Sequence, residues 1–384
     1  MERLSENPIL RKGRFEKGTN AEAADYTSSL EEDIRIFRPA VQVNIAHTIM
    51  LFDQGIISKS DASKILKALL SLYEKDPSSM EMPPEMEDIH MVIEDFVAKE
   101  AGESGQRLHT AKSRNDQVVA AIKMALREEL VEVCEAISSL INSLVSQAEK
   151  NLTTIMPGYT HTQIAEPTTF AHFLSAYAFT FLRDLRRLET TFEFLNSSPM
   201  GACALAGTSL PINRGEVANL LGFRRIDENT MDAVGSRDFI LHIMSALSIA
   251  MTNLSRLAEE VILMSSSEFG MLELPDEFSA TSSIMPQKKN PVVPEIVRAK
   301  TSWVIGNLMS AFSLLKSLPQ AYNLDYQELT PLLWSAVDET KAAFALMAKM
   351  FEKLNPRAEV MEARANDGFS TATELANELV RGGT

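Results

Sequence analysis

The sequence has few cysteines and no long apolar run, and each of these absences disfavours a class of protein. Its two cysteines, Cys134 and Cys203, lie in apolar surroundings without metal-ligand spacing, so neither a disulfide framework nor a zinc site is expected. No run of about 18 apolar residues occurs, which argues against a membrane span. Met1-Glu2-Arg3-Leu4 does not lead into an apolar stretch, so no secretory signal is expected. These features predict a cytoplasmic protein with buried thiols.

Positive charge is also scarce. The chain has 37 lysines and arginines against 52 aspartates and glutamates, a formal net charge of −15. Because no basic stripe offsets this excess, a nucleic-acid partner is not expected. A negatively charged protein repels an anionic substrate at long range, so a carboxylate site needs a local concentration of positive charge. Lys288 and Lys289 offer one.

Strand patterns are the third scarcity, because no alternating pattern longer than four residues occurs. Helical periodicity is extensive instead, and the longest predicted helices cover about 115–151, 167–196, 236–267, 294–318 and 331–354. In the first, apolar residues recur at steps of three and four from Val119 to Leu144, and the helix would be about 55 Å long. The sequence therefore predicts an all-α fold, an elongated long-helix bundle of two or three domains.

The stretch from Ser282 to Pro291 is the richest in chemistry. It places two serine hydroxyls, two lysines and an asparagine amide just before a predicted helix, where unpaired backbone amides favour an anion. Residues 270–279 before it contain glycine, proline and serine without a helical period, which indicates an exposed, mobile loop. The stretch suits a carboxylate substrate, and the plainer interpretation is a solvated loop with a basic tip.

Two further polar clusters, residues 112–117 and 159–163, also precede predicted helices. If the first two long helices pack antiparallel, these clusters lie at opposite ends of the bundle, roughly 55 Å apart. They cannot then form one site within one chain. If they cooperate, the ends of neighbouring subunits must meet in a symmetric homo-oligomer. The alternative is that each cluster is only a helix-capping motif.

As an ordered string, Ser282-Ser283-Ile284-Met285-Pro286-Gln287-Lys288-Lys289-Asn290 resembles the loop shared by the fumarase/aspartase superfamily. Within it the chain is similar to argininosuccinate lyases and their delta-crystallin relatives, whereas Val292-Val293-Pro294-Glu295 is closer to aspartase. The other stretches that follow the argininosuccinate lyase pattern are Gly13-Arg14-Phe15, Glu87-Asp88-Ile89-His90, 108–117, Gly158-Tyr159-Thr160-His161, Ser236-Arg237-Asp238-Phe239, Ser267-Glu268-Phe269-Gly270 and Tyr322-Asn323.

The resemblance implies a cytoplasmic homotetramer with a twenty-helix core, in which each active site is assembled from three subunits. It also implies the reaction: β-elimination of argininosuccinate to L-arginine and fumarate, as in arginine biosynthesis and the urea cycle, without cofactor or metal. The expected domains are an N-terminal helical domain (1–110), the central bundle (111–355) and the start of a small C-terminal domain (356–384). The last of these is expected to be truncated, because the relatives continue beyond it.

The resemblance also assigns roles to residues. Ser282 is expected to be the base, activated by nearby positive charge, and Lys288 with Asn290 to stabilise the carbanion intermediate. His161, held by Glu295, is the candidate acid for the leaving nitrogen. The residues expected to hold the fumarate part are Ser113, Arg114, Asn115 and Thr160. Those expected to hold the arginine part are Ser29, Asp33, Tyr322 and Gln327.

Several residues have simpler structural interpretations. Asp33 could be only a first-turn helix charge, and Tyr322 only a half-buried aromatic. His90 and His109 are expected to support the site without touching the substrate. The remaining helical histidines, expected to be packing or surface residues, are His47, His172 and His242.

Two departures from the family pattern bear on specificity. Thr281 stands where the family has glycine before the serine pair, which could stiffen the loop. Thr330 stands where the family usually has a lysine that contacts the arginine part. The alternatives are therefore another lyase of the superfamily, such as an aspartase-like or adenylosuccinate-lyase-like enzyme, a non-catalytic crystallin-like protein, or a helical scaffold.

Overall fold

A computed structural model describes residues 20–80, 82–83 and 86–383. Gly13-Arg14-Phe15 lies outside the described residues. Fourteen α-helices and eight short strands follow one another along the described chain. The helices contain most of its residues, so the predicted all-α class is confirmed.

Five helices precede the first long one. Their bounds are α1 Ala21–Thr27, α2 Leu30–Asp33, α3 Phe37–Asp53, α4 Lys59–Tyr73 and α5 Ile89–Ala101. Helix α4 shows why these segments form and pack. Ser58 caps its start by accepting a hydrogen bond from the Asp61 amide (3.1 Å), and Ile65, Leu69 and Leu72 form a buried stripe one helical turn apart.

The five predicted long helices are all present and begin and end within a few residues of the prediction. They are α6 Arg114–Lys150, α7 Phe170–Leu195, α10 Asp238–Ser265, α11 Val292–Leu315 and α12 Leu329–Glu352. The remaining helices are the short α8 Arg214–Leu220 and α9 Thr230–Gly235, and near the carboxyl end α13 Ala358–Ala365 and α14 Ala372–Arg381. The apolar positions predicted to form the seam of α6, from Val119 to Leu144, are all buried.

A β-hairpin between α6 and α7 was missed by the sequence patterns. Strand β1 (Ile155–Thr160) pairs antiparallel with β2 (Gln163–Thr169), and two prolines, Pro157 and Pro167, lie opposite each other. Prolines usually break strands, and here they sit beside an irregularity in the register. The prediction that Pro167 starts a helix was therefore wrong, since α7 begins at Phe170. The 159–163 cluster is consequently a hairpin tip and not a helix start.

The other strands are two-residue pairs. They are β3 Ser197–Ser198 with β4 Arg225–Ile226, β5 Leu272–Glu273 with β8 Asn355–Pro356, and β6 Ala280–Thr281 with β7 Lys289–Asn290. The first pair is parallel and the other two are antiparallel.

The chain divides into two compact units. Unit 1 contains the described residues up to Glu129 with Phe192–Phe239 and Phe312–Pro331, and unit 2 contains Leu130–Thr191, Ile240–Ala311 and Leu332 onward. Helix α10 is long and apolar enough to cross a membrane by length and composition alone. The core helix of a globular protein passes the same test, and 56% of the most apolar window of α10 is buried.

Candidate active site

Unit 1 contains a cavity of about 280 Å³ that collects six of the predicted site residues. These six are Ser29, Asp33, Arg114, Asn115, Tyr322 and Gln327. They come from three separate segments of the chain, so residues that are distant in sequence meet at one cavity. We refer to this space as the unit 1 cavity. His90, Arg237 and Thr330 also line it.

Asp33 lies at the end of α2 with its carboxylate turned inward. The Ser29 hydroxyl donates to Asp33 Oδ2 (2.8 Å), and the Ile89 amide donates to the same oxygen (3.2 Å). Burial raises the pKa of Asp33 to about 7, because the loss of hydration outweighs these two hydrogen bonds. Asp33 is therefore a buried carboxyl that binds or releases a proton near neutral pH, which a plain first-turn helix charge would not do.

Arg114 begins α6 and is held by the protein's own acids. Its Nη1 lies 3.1 Å from Asp88 Oδ2 and 3.6 Å from Glu87 Oε2, and its Nη2 lies 3.4 Å from Glu94 Oε2. Its Nε is buried and has no hydrogen-bond partner in the part of the chain that the structure describes. The guanidinium predicted to bind a substrate carboxylate thus already contacts three protein carboxylates.

The two sequence neighbours of Arg114 differ in whether they line the unit 1 cavity. Ser113 does not line the cavity, and its hydroxyl accepts a hydrogen bond from the Asn115 amide (3.3 Å). Asn115 lines the cavity, and its side-chain amide donates to the Ala204 carbonyl (3.0 Å). Ser113 therefore supports the start of the helix, while Asn115 borders the open space.

The segment 321–330 forms another wall of the cavity. The Tyr322 ring meets the Tyr326 ring edge to face at 5.9 Å, and the Tyr326 hydroxyl donates to the Gly235 carbonyl (2.6 Å). A Cβ at Gly235 would lie 2.7 Å from the Ala321 backbone nitrogen. Only glycine permits this close approach, which fixes the position of the neighbouring Tyr322.

Gln327 and Thr330 are both tied to backbone carbonyls. The Gln327 side chain donates to the Thr27 carbonyl (3.1 Å), and the Thr330 hydroxyl donates to the Gln327 carbonyl (2.8 Å). Thr330 is buried at the position where the family lysine is expected. Its side chain has no charge, and its hydroxyl is already hydrogen-bonded to the protein.

Two histidines predicted to support the site, and one predicted to be a packing or surface residue, can also be placed. His90 is fully buried beside the cavity, and burial lowers its pKa to about 4. Neither of its ring nitrogens has a hydrogen-bond partner among the described residues. His109 Nδ1 lies 2.9 Å from Glu94 Oε1, which in turn contacts Arg114. His47 is buried and bonds the Thr110 carbonyl through Nε2 (2.7 Å).

The two remaining helical histidines each lie within hydrogen-bond distance of a threonine hydroxyl. His172 Nδ1 lies 3.0 Å from the Thr168 hydroxyl, and His242 Nδ1 lies 3.3 Å from the Thr191 hydroxyl. The first contact joins α7 to the end of β2 and the second joins α7 to α10, so both histidines have a structural contact.

Unit 2 carries the other predicted residues, beginning with Thr160 and His161 at the tip of the β1–β2 hairpin. Thr160 pairs with Gln163, so His161 and Thr162 form a two-residue turn. Both have positive φ, 54° and 59°, a conformation that such turns usually assign to asparagine and glycine. A histidine held in this conformation is strained and exposed to solvent, which is typical of a functional position.

The loop that contains Ser282 is closed by the β6–β7 pair, which joins Ala280 to Asn290 and Thr281 to Lys289. Ser282 Oγ accepts hydrogen bonds from the Ile284 amide (3.4 Å) and the Met285 amide (3.2 Å). Because amide donors favour the charged form of an acceptor, this turn favours negative charge on the Ser282 oxygen.

The two lysines of the loop differ. Lys289 Nζ lies 2.6 Å from Asp276 Oδ1 and 3.9 Å from Glu273 Oε1. Lys288 is exposed and makes no ion pair with any described carboxylate. Of the two loop lysines, Lys288 is therefore the one whose ammonium is not engaged by a described carboxylate, and the role expected for it stays a prediction.

Glu295 lies in the first turn of α11 and is exposed. Within the part of the chain that the structure describes, Glu295 and His161 do not form an ion pair, although both belong to unit 2. Their predicted pairing thus stays a prediction. Nor do the described residues contain a group of three or more His, Cys, Asp or Glu side chains that could hold a metal ion.

Comparison with known proteins agrees with the motifs. A family described as Lyase matches residues 13–306. The argininosuccinate lyase of Methanocaldococcus jannaschii is 45% identical over 374 residues, which are 97% of this chain and 77% of that protein. The argininosuccinate lyase of Pelobacter propionicus is 46% identical over 372 residues, 97% of this chain and 81% of that protein.

The chain belongs to the argininosuccinate lyase family. It is accordingly a lyase, and its helical fold is that of the fumarase/aspartase superfamily. A solved EDDS lyase variant with bound fumarate is 29% identical with a TM-score of 0.82, covering 97% of this chain and 74% of that one. A class II fumarase from Schistosoma mansoni shares the fold at 19% identity and a TM-score of 0.80, covering 91% of this chain and 84% of that one.

Sequence reasoning missed one residue that lines the unit 1 cavity. Arg237 was noticed only as part of a family pattern, yet it is fully buried and lines the unit 1 cavity. Its burial gives no signal in the sequence, because Ser236-Arg237-Asp238 looks like an exposed polar helix start.

Proposed function

We propose that the protein is an argininosuccinate lyase that eliminates L-arginine from argininosuccinate and releases fumarate. The observation that carries the proposal is the Ser282 turn, in which two backbone amides donate to the serine oxygen on the same loop as Lys288, which makes no ion pair with a described carboxylate. A base on a loop with an adjacent cation suits the removal of a proton from a carbon next to a carboxylate.

In this mechanism the Ser282 oxygen takes a proton from the carbon beside the succinate carboxylate. The electron pair left on that carbon is delocalised into the carboxylate, whose extra negative charge Lys288 and Asn290 stabilise. The carbon–nitrogen bond then breaks, the double bond of fumarate forms, and the nitrogen of the departing guanidino group takes a proton. His161, oriented by Glu295, is the proposed donor of that proton.

The substrate's two halves have different proposed binding residues. Ser29, Asp33, Tyr322 and Gln327 line the unit 1 cavity and would hold the arginine part, where the Asp33 carboxylate suits a cationic group. Arg114 and Asn115 at the same cavity, with Ser113 and Thr160, would hold the fumarate part.

A homotetramer with shared sites is part of the proposal. It is supported by the length of α6, about 55 Å for its 37 residues, and by the lack of an ion pair between His161 and Glu295 within one protomer. Residues that must act together would then meet between subunits. The division into segments 1–110, 111–355 and 356–384, the cytoplasmic location and the lack of a cofactor, nucleic-acid partner or membrane also belong to the proposal.

The test is to add argininosuccinate to the purified protein and follow fumarate by its ultraviolet absorbance, with aspartate and adenylosuccinate in parallel. Fumarate from argininosuccinate alone is the expected result. Fumarate only from another substrate would support the proposed mechanism but assign the enzyme a different substrate. The uncharged Thr330 and the 29% identity to EDDS lyase are the reasons to test for this outcome. No fumarate from any substrate would overturn the proposal and favour a crystallin-like role.

A further inference from the structure

Arg237 is a buried cation for which the described residues provide no counter-ion. Its side chain lines the unit 1 cavity and is only 3% exposed. Among the described residues it makes no ion pair, whereas Arg114 on the same cavity makes three. A buried charge is costly unless an opposite charge or several hydrogen bonds compensate it.

Only part of the guanidinium is used by the protein. Arg237 Nη1 donates to the carbonyls of Val234 (3.1 Å) and Ser236 (2.7 Å) at the end of α9. The guanidinium carbon lies 4.4 Å from the centre of the Tyr326 ring, which holds the side chain in place. Within the described chain, Nε and Nη2 have no hydrogen-bond acceptor, although these nitrogens carry donors.

The charge itself persists at neutral pH. Burial lowers the pKa of Arg237 to about 10, which still leaves the guanidinium protonated under physiological conditions. The other groups on the cavity do not neutralise it, because Asp33 is bonded to Ser29 and Ile89 while Glu87 and Asp88 contact Arg114. The cavity therefore offers one preformed cation with unused donors.

We infer that Arg237 binds the α-carboxylate of the arginine part of the substrate and replaces the family lysine that Thr330 does not supply. This inference rests on the proposed function. A guanidinium presents parallel donors to a carboxylate, and its contact with Tyr326 orients it before the ligand arrives. Tyr322 and Gln327, which belong to the same wall, place the arginine part beside it.

The inference makes Arg237 a determinant of specificity. The cavity should distinguish arginine from agmatine, which has the same guanidino group and chain but no carboxylate. Losing one partner of a buried charge pair should weaken binding by about 30-fold or more. Wild-type protein should therefore bind arginine much more tightly than agmatine, and Arg237→Gln should lose most of that preference.

The experiment measures inhibition of fumarate release by arginine and by agmatine, with wild type and Arg237→Gln. The expected result is an inhibition constant for arginine that rises about 30-fold or more while that for agmatine stays within about twofold. The KM for argininosuccinate should rise by a similar factor. Equal weakening of both inhibitors, or no weakening of either, would overturn the inference.

Arg127 provides a matched control. Its guanidinium also donates to carbonyls at a helix end, those of Leu221 (2.9 Å) and Gly222 (3.0 Å), and lies 4.6 Å from the centre of the Phe223 ring. Arg127 does not line the unit 1 cavity. Arg127→Gln should therefore lose stability through the same kinds of contact and keep the arginine preference, which separates a structural loss from a lost contact with the ligand.

Two further measurements keep the inference testable in every case. If Arg237→Gln fails to fold, Arg237→Lys can be used instead. Lysine keeps the charge but lacks the parallel donors of the guanidinium, so this variant should retain part of the preference for arginine. If wild-type protein releases no fumarate, calorimetric titration with arginine and agmatine still tests Arg237. Tight arginine binding without turnover would reject only the proposed function, whereas equal affinities for the two ligands would reject the role of Arg237.

Discussion

At the scale of single residues, the backbone around Ser282 influences the charge that its side-chain oxygen can carry. A serine hydroxyl is a weak base, and its oxygen here accepts two amide hydrogen bonds that favour its negative form. Replacing Ser282 by Ala should lower kcat by at least about 100-fold, since it removes the base while the amides and Lys288 remain. The measurement is steady-state fumarate release, with circular dichroism as the check on folding.

The matched variant is Ser283→Ala, which removes the neighbouring exposed hydroxyl. It should leave kcat within about a few-fold of wild type, because that hydroxyl has no assigned part in proton transfer. Activity at the wild-type level in the Ser282 variant would reject the proposed base.

Asp33 makes stability depend on pH in an unusual direction. Its pKa is raised from the ordinary value to about 7, so between about pH 4 and pH 7 the unfolded chain loses this proton more readily than the folded protein does. Asp33 therefore stabilises the fold less as the pH rises through that window. Asp33→Asn should remove this pH-dependent loss. The unfolding free energy of the variant, measured relative to that of wild type, should therefore increase by at most about 4 kcal/mol from pH 4.5 to pH 8.

Urea unfolding of both proteins at the two pH values measures the effect. The difference between variant and wild type is the informative quantity, because it cancels the titration of other acids such as Asp116, whose pKa burial raises to about 6. A difference that does not change with pH would contradict the assignment.

At the scale of elements, the β1–β2 hairpin depends on a glycine where two backbones approach closely. A Cβ at Gly158 would lie 2.8 Å from the Glu166 carbonyl oxygen of the paired strand. Gly158→Ala should therefore displace the hairpin tip that carries Thr160 and His161, lowering kcat about 10-fold or more through misplacement alone.

Gly306→Ala is the matched control for that variant. Gly306 lies inside α11, and a Cβ there meets no atom within 4 Å. This change should leave kcat unaltered and stabilise the protein by up to about 1 kcal/mol, because alanine favours a helix more than glycine does. Equal activity in the two variants would show that the hairpin tip has no precise role.

Helices were predicted far better than the hairpin for a physical reason. The buried seam of α6 repeats over several turns, so the pattern averages out local exceptions. The strands of the hairpin are short and hold Pro157 and Pro167 in pairing positions that only the register reveals. Local sequence cannot express that register, because it depends on which residue lies opposite.

The site was only partly readable for a related reason. The Ser282 stretch and the polar cluster at the start of α6 are continuous in sequence, so their residue types could be interpreted together. The engagement of Arg114 by Asp88 and Glu94, and the burial of Arg237 beside Tyr326, bring together residues from distant segments. Such contacts depend on the completed fold and leave no local pattern.

At the scale of the whole molecule, the proposed sharing of sites can be tested by mixing two inactive proteins. Ser282→Ala and His161→Asn each lack one group, and random reassembly of a shared-site tetramer should restore intact sites. If each site takes its serine and histidine from different subunits, an equal mixture should regain about a quarter of wild-type activity. Fumarate release after co-refolding measures the recovery.

The control is to co-refold Ser282→Ala with Lys288→Ala, which alter the same loop. Because both groups would come from one subunit, every site would lack one of them and the mixture should stay inactive. Recovery in neither mixture would mean that the serine and the histidine of each site come from one subunit.

The turn at His161 and Thr162 has a consequence for anyone who would engineer this protein. Stability-guided redesign favours asparagine and glycine wherever a two-residue turn needs positive φ, and both residues here meet that criterion. Such a procedure would score the native pair as an error and replace it early. The more faithfully it optimised the hairpin, the sooner it would delete the imidazole on which the proposed chemistry depends.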